Sequence, residues 1–501
     1  FWLKECRRSE CPHWDPMLML VRSCLLGFIA LHAVTHVGIE AITDGECDAS
    51  SALQKRVRDG ALLTARSRGP ILLNVVYSAP PLLSLGFAAE LSIPGSTSGP
   101  QQMLIDSGSS ALAFGNKQLA DGLSPALYPE GVVDPENIIR ECVGAKLLQG
   151  NWYGENLSEA TYYWGYSYFG DLLLHDGRGV TIPFSRCTFQ VMQESEGMPN
   201  NGYGYDGIWG VAFLGAGAEE WAQIKSDSDP RHVVCLATPE PSLPTLCDGF
   251  NAKDWCNPNQ TGRFIGDSYS WHQAMYYAPV VEQALKEYDR KLFGLYLNVH
   301  SSNWSRLVTD VGLTRGLGEL YIGSKALANS RYRASTPQIV PNRRMGQLSK
   351  VFWGLPVVQI NVRSASGNIV FNEGQDFFCA HGAACYVDTG NSQIQVPTSI
   401  FEAGRVALAT GGWGTLELVL LSDHGQTKLS FPLERLAEMS KQQLYAGSGT
   451  ANGSAPSAPV VLGFPTWLFY YVVFDYGSAS KLPGFQEGTR MSFVRKLDTG
   501  V

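Results

Sequence analysis

Two carboxylates recur in one short phrase of this chain. Leu104-Ile105-Asp106-Ser107-Gly108-Ser109-Ser110 and Tyr386-Val387-Asp388-Thr389-Gly390-Asn391-Ser392 each present an apolar pair, an Asp, a small hydroxyl residue and a Gly. Delivered from two halves of one chain into a common site, such carboxyls form a pair that holds a single proton. Like charges about 3 Å apart cannot both ionise, so one carboxyl stays protonated while the other acts as a base. The pair can activate water for attack on a peptide carbonyl and then protonate the leaving amine, with no metal, cofactor or covalent intermediate required. The neighbouring residues suit that task. A strand would deliver each Asp, and Ser107 and Thr389 can hydrogen-bond across to the opposite loop. Gly108 and Gly390 let the backbone turn close to the carboxylates. A single Asp-[Ser/Thr]-Gly arises by chance in about one chain in four of this length. The pair is informative because each copy is followed by a second element.

That element is apolar-apolar-Gly: Ile208-Trp209-Gly210 after Asp106, and Val461-Leu462-Gly463 after Asp388. With both elements in place, the chain from about Gly86 to Phe485 resembles the pepsin-like aspartic peptidases. In that family each lobe threads an apolar-apolar-Gly strand through the loop bearing its Asp. Gly86–Gly95 is similar to the family's first strand before the catalytic loop, Tyr277–Leu297 to the end of its first lobe, and Gly318–Gly323 to an early second-lobe hairpin. Some details resemble the beta-secretase branch: Ala113 in Ser110–Gly115 where most pepsins carry Trp, the flap-like Gln149-Gly150-Asn151-Trp152-Tyr153-Gly154-Glu155, and Phe401-Glu402-Ala403.

The resemblance implies a mostly β, bilobal fold with the cleft between two related lobes, and Asp106 and Asp388 as the catalytic pair. It implies that Ser107 and Thr389 bridge the loops and that Ser109 hydrogen-bonds the outer oxygen of Asp106. Leu147, Gln149, Gly150 and Trp152 would belong to the flap over the substrate. Three positions depart from the family pattern. Asn391 stands where the family has Ser or Thr, and its amide can donate to the Asp388 carboxylate instead. Leu147 stands where pepsins carry a Tyr that closes over the substrate, with Trp152 and Tyr153 nearby. Phe464 replaces an Asp that commonly follows the second apolar-apolar-Gly.

The elements that must position these residues read as β. Pro70–Tyr77, Met103–Ile105, Gln190–Met192, Val357–Val362, Leu416–Leu421 and Val472–Phe474 are short runs rich in branched or aromatic residues, bounded by turn formers. Helices are expected at Ala278–Tyr288 and Thr398–Ala409. Ala446–Pro459, rich in Gly, Ser and Ala, reads as a flexible loop. Residues 70–300 are expected to form the N-terminal lobe, with a polar insertion at about 216–272, and residues 301–501 the C-terminal lobe.

Ahead of these, residues 1–41 read as an upstream segment and signal peptide. The apolar run Leu25–Ala30 is too short for a spanning helix, which needs about 20 apolar residues. Met17 is a possible start, and a buried helix is the alternative reading of the run. Residues 42–69 carry Lys55, Arg56, Arg58, Arg66 and Arg68. They read either as a propeptide whose cations neutralise an acidic cleft or as a solvated leader.

Four sequons, at Asn156, Asn259, Asn303 and Asn452, and 11 cysteines agree with a secretory, oxidising compartment. Family precedent points to a disulfide near the second catalytic loop, for which Cys379 and Cys385 are candidates. Cys247 with Cys256 and Cys142 with Cys187 are further possible pairs, a free buried cysteine being the alternative for each. Net charge is −8, which argues against a nucleic-acid partner, and nine scattered histidines offer no zinc spacing. No apolar stretch near Val501 is long enough for a membrane anchor. The expected protein is a monomeric, acid-acting endopeptidase on peptide or protein substrates; the alternative is a catalytically weak protein of the same fold that binds peptides or a partner through its cleft.

Overall fold

The structure, a computed structural model, describes residues 69–79, 83–109, 111–124, 148–153, 161–196, 204–212, 224–225, 263–264, 288, 290–342, 353–374, 385–410, 414–448, 460–477 and 488–497. The expected signal segment, nearly all of the basic leader, Leu147 and the helix at 278–287 lie outside the described residues. So does the expected insertion, apart from Ile224–Lys225 and Arg263–Phe264, which pair as a two-stranded ribbon.

The described chain is mostly β. Eight strands build its first half: β1 (Ile71–Ser78), β2 (Ser84–Ser92), β3 (Gln101–Asp106), β4 (Leu112–Phe114), β5 (Leu148–Tyr153), β6 (Thr161–His175), β7 (Thr181–Glu196) and β8 (Gly207–Gly210). They occupy one side of a 13-stranded sheet in the order β1-β2-β3-β8-β4-β7-β6-β5. Beyond β1 the sheet continues through Gly312–Ile322, Leu292–Leu297, Tyr470–Asp475, Arg490–Arg495 and Gln338–Pro341. Strands from both halves of the sequence therefore share one hydrogen-bonded ladder. Several strands are buried on both faces, which is why they read as continuous apolar runs rather than alternating ones.

The two faces of the first half are distinct. Met103, Ile105, Leu112, Phe114, Phe189, Val191 and Trp209 enter the main core. Leu104, Ala113, Met192, Tyr205 and Ile208 form a smaller cluster on the opposite side. Asp106 follows Leu104 by two residues on β3 and so shares the face of the smaller cluster.

Two further sheets come from the second half. Ile369–Gly374, Val357–Arg363, Thr415–Ser422 and Gly425–Pro432 form an antiparallel four-stranded sheet. A five-stranded sheet runs Trp353–Gly354, Tyr386–Val387, Val461–Leu462, Ile394–Pro397, Tyr445–Ser448. The helix at Thr398–Ala409 forms, burying Ile400, Gly404 and Ala407 along one side. A second helix, Leu433–Ser440, buries Leu433, Leu436 and Met439 and was not anticipated from the sequence. The expected loop at 446–459 needs correction. Ala446–Ser448 belongs to the strand Tyr445–Ser448, paired in parallel with Ile394–Pro397, because Gly447 lets the strand lie against Phe401 and Thr398 where a Cβ would sit 3.0 Å from Phe401 Cβ.

Cys385 is disulfide-bonded, while its suggested partner Cys379 lies outside the described residues. Cys187 is buried in the main core, and Cys142 lies outside the description. Among the described residues no helix is long and apolar enough to cross a membrane.

Trp353 ties the halves together. Its ring packs on Phe474 and Tyr476 at centroid distances of 4.8 and 5.1 Å, and its Nε1 donates to the Val211 carbonyl at 3.1 Å. Trp353→Ala should therefore cost about 3–5 kcal/mol, read from the urea midpoint at unchanged slope. A loss below about 1 kcal/mol would mean that this contact does not hold the halves.

Candidate functional site

The same three-strand arrangement occurs twice. β3, which ends at Asp106, pairs in parallel with β8, and β8 pairs antiparallel with β4. Tyr386–Val387, which precedes Asp388, pairs in parallel with Val461–Leu462, and that strand pairs antiparallel with Ile394–Pro397. Each apolar-apolar-Gly strand thus runs between the strand that delivers an Asp and the strand that leaves its loop. Gly463 is required for this passage, since a Cβ there would lie 2.0 Å from the Gln393 carbonyl oxygen and 2.5 Å from that of Asn391. Phe464, just beyond, is fully buried and packs edge-on to Phe87 at 4.7 Å. Its apolar side chain therefore serves the core.

The two loops grip each other by reciprocal hydrogen bonds. Thr389 Oγ1 accepts from the Ser107 N–H at 2.8 Å and donates to the Ile105 carbonyl at 2.7 Å. Ser107 Oγ accepts from the Thr389 N–H at 2.9 Å and donates to the Val387 carbonyl at 2.9 Å. Both hydroxyl residues are fully buried. The exchange is symmetric, so each loop fixes the position of the other.

The carboxyl groups sit at the centre of this crossing. Asp106 Oδ1 accepts from the Gly108 N–H at 2.7 Å, and Oδ2 accepts from Ser109 Oγ at 2.6 Å. Asp388 Oδ1 accepts from the Gly390 N–H at 2.9 Å. A Cβ on Gly108 would lie 2.7 Å from Asp388 Oδ2, and one on Gly390 would lie 2.6 Å from Asp106 Oδ1. Each glycine therefore leaves room for the opposite carboxyl. Gly390→Ala should push the pair apart, and any catalysis by the pair should then fall by about 10²-fold in kcat, since misplacement by an ångström has that scale of effect. Unaltered kcat in Gly390→Ala would mean that the pair tolerates separation.

Asp388 holds its proton well above the ordinary carboxyl range. Burial is the largest cause, followed by the charge of Asp106 and a hydrogen bond to its carboxyl; the Gly390 and Asn391 backbone N–H groups oppose the shift without cancelling it. The arrangement can therefore hold one proton between two carboxyls and can polarise a water placed against them.

Not every expected residue joins this site. Asp106, Ser107, Gly108, Ser109, Asp388, Thr389 and Gly390 come together. Gln149, Gly150 and Trp152 lie on β5, the edge strand of a hairpin with β6, and Leu147 lies outside the described residues. The expectation for Asn391 needs correction. Its Oδ1 accepts from the Gln393 N–H at 2.8 Å, and it meets Asp388 through its backbone. The local two-residue turn wins because the side chain of Asn bonds readily to the backbone two residues on.

Ser392 was missed. Its Oγ accepts from the Leu85 N–H at 2.8 Å and donates to the Leu83 carbonyl at 3.4 Å, anchoring the Asp388 loop to the start of β2. The sequence signal was its place at the end of the second phrase, but nothing local named a partner some 300 residues away.

No family model matches this chain, and no curated protein is significantly similar to it. What the site does is therefore decided by its own geometry. Among the described residues no group of three or more His, Cys, Asp or Glu side chains could hold a metal ion.

Proposed function

We propose that this chain is a pepsin-like aspartic endopeptidase that hydrolyses peptide bonds with water activated between Asp106 and Asp388. The observation that carries this reading is the reciprocal Ser107–Thr389 crossing, which brings each loop's glycine against the opposite carboxyl. In this mechanism the ionised carboxyl of the pair removes a proton from the water as it attacks the carbonyl carbon. The protonated partner supplies its proton to the developing oxyanion, and the pair then protonates the departing amine. Ser109 and the Gly108 N–H fix the orientation of the Asp106 carboxyl within the pair. Turnover requires one proton on the pair, so activity should decline on the alkaline side as the pair loses that proton and on the acid side as it gains a second.

Two lobes around the cleft, a peptide or protein substrate, a monomeric state and passage through the secretory route belong to the same proposal. The duplicated three-strand arrangement supports the lobes, and the Leu25–Ala30 run with the basic stretch after it supports the route. One observation favours a peptide-binding protein of weak activity instead. Asn391 turns its Oδ1 to Gln393, so Asp388 lacks the hydroxyl donor that Ser109 gives Asp106.

Cleavage of a mixed peptide library from about pH 3 to about pH 7, with and without pepstatin, separates the two. Hydrolysis by the folded, processed protein that disappears in Asp106→Asn supports the peptidase. No hydrolysis at any pH, with peptides still bound, favours the binder.

A further inference from the structure

The sheet face that carries Asp106 holds a polar group that the proposed chemistry does not use. Gln190 on β7 is 2 % exposed, and its Oε1 has no hydrogen-bond partner. A buried acceptor without a donor is costly, and one in a native interior calls for a reason.

Register fixes where this group lies. Leu104 pairs with Ile208 on β8, Ile208 with Ala113 on β4, and Ala113 with Gln190 on β7. These residues form one row across the sheet, on the side where Asp106 follows Leu104. Three strand spacings across and two residues along separate the Cα atoms of Asp106 and Gln190 by about 15 Å. Between them lies an apolar floor of Leu104, Ile208 and Ala113, bordered by Met192 and Tyr205. Burial is common to this face, since Asp106 and Leu104 are themselves only 5 % exposed.

We propose that Gln190 is a specificity-determining residue, its Oε1 accepting a hydrogen bond from a neutral donor side chain of the bound peptide. An extended chain advances about 3.4 Å per residue, so the donor belongs about three to five residues from the scissile bond. The apolar floor disfavours a charged group at this position, which leaves hydroxyl and carboxamide side chains as the class selected. The inference rests on the peptidase reading above and refines its substrate to a peptide with apolar residues near the cleaved bond and a neutral donor at one fixed distance.

The test uses peptide pairs that differ only by Thr or Val, isosteric except for the hydroxyl, placed in turn at each position on both sides of the cleaved bond. kcat/KM is measured for the full protein and for Gln190→Leu and Gln190→Met, which replace the carboxamide at similar volume. Binding of the same peptides to Asp106→Asn is followed by fluorescence polarisation. At one position the unaltered protein should prefer Thr by about tenfold or more, and both Gln190 variants should lose or reverse that preference. Both variants should also melt no lower than the unaltered protein, since each removes an unsatisfied acceptor.

Cleavage with no such preference, or with a preference that the variants retain, overturns the inference and leaves the peptidase standing; an enclosed water that already satisfies Oε1 gives this result. Absence of cleavage with Thr-selective binding that is lost when Gln190→Leu is added to Asp106→Asn overturns the peptidase and keeps Gln190 as a recognition residue. Binding of no peptide overturns both.

Discussion

On the proposed mechanism, Asp106→Asn and Asp388→Asn should each lower kcat by about 10²–10⁴-fold while the protein becomes more stable at neutral pH. The two effects have one origin. Asp388 binds its proton more tightly in the folded chain than in the unfolded one, where its ordinary value is 3.8. Between that value and the raised folded value, the native state holds more protons than the unfolded state. Stability is therefore fully present below the unfolded value and is lost as pH rises through the folded one. Asp388→Asn removes the group that must ionise, and Asp106→Asn removes the charge that opposes its ionisation. The melting-temperature advantage of each variant over the unaltered protein should be small in acid and grow as pH rises. Melting curves across the acid-to-neutral range, run beside peptide hydrolysis, check both halves. If the Asn variants melt lower than the unaltered protein at neutral pH, the carboxyls are not held against each other. If they retain turnover, the water is activated elsewhere.

The second large effect is expected at the loop crossing. Thr389→Val keeps the shape of the side chain but leaves the buried Ser107 N–H without an acceptor and the Ile105 carbonyl without its donor. Two orphaned buried groups should cost about 2–6 kcal/mol. Ser107→Ala orphans the Thr389 N–H and the Val387 carbonyl in the same way. Because the two side chains act on one junction, the double variant should cost less than the sum, by about 0.5–3 kcal/mol of coupling. Urea unfolding of the four proteins measures that coupling. Additive costs would mean that the loops are held independently. Activity should fall in either variant, since the crossing sets the separation of the carboxyls.

The parts of this protein that could be read from the sequence are those where a local pattern has one physical solution. Thr398–Ala409 reads as a helix and forms one over those residues. Met103–Ile105 and Val472–Phe474 are apolar at every position, and strands buried on both faces accommodate them. The helix Leu433–Ser440 escaped because eight residues directly after a strand give little room for a helical period to register. Tyr445–Ser448 escaped because Ala and Gly favour no strand locally, and only the pairing with Ile394–Pro397 makes them one.

The site divides in the same way. Residue types carried what was local: Asp106 and Asp388, each followed by a hydroxyl and a Gly, bring a carboxyl, a tight turn and a hydroxyl free to bond outward. Tertiary structure decided everything that depends on distance across the chain. It raised the proton affinity of Asp388, turned Asn391 to its own backbone, joined Ser392 to β2 and left Gln190 Oε1 without a partner on the face of Asp106. The reason is that a proton affinity or an unsatisfied acceptor is set by neighbours within a few ångströms. In this fold those neighbours arrive through the threading of Gly210 and Gly463 and the register of strands far apart in sequence.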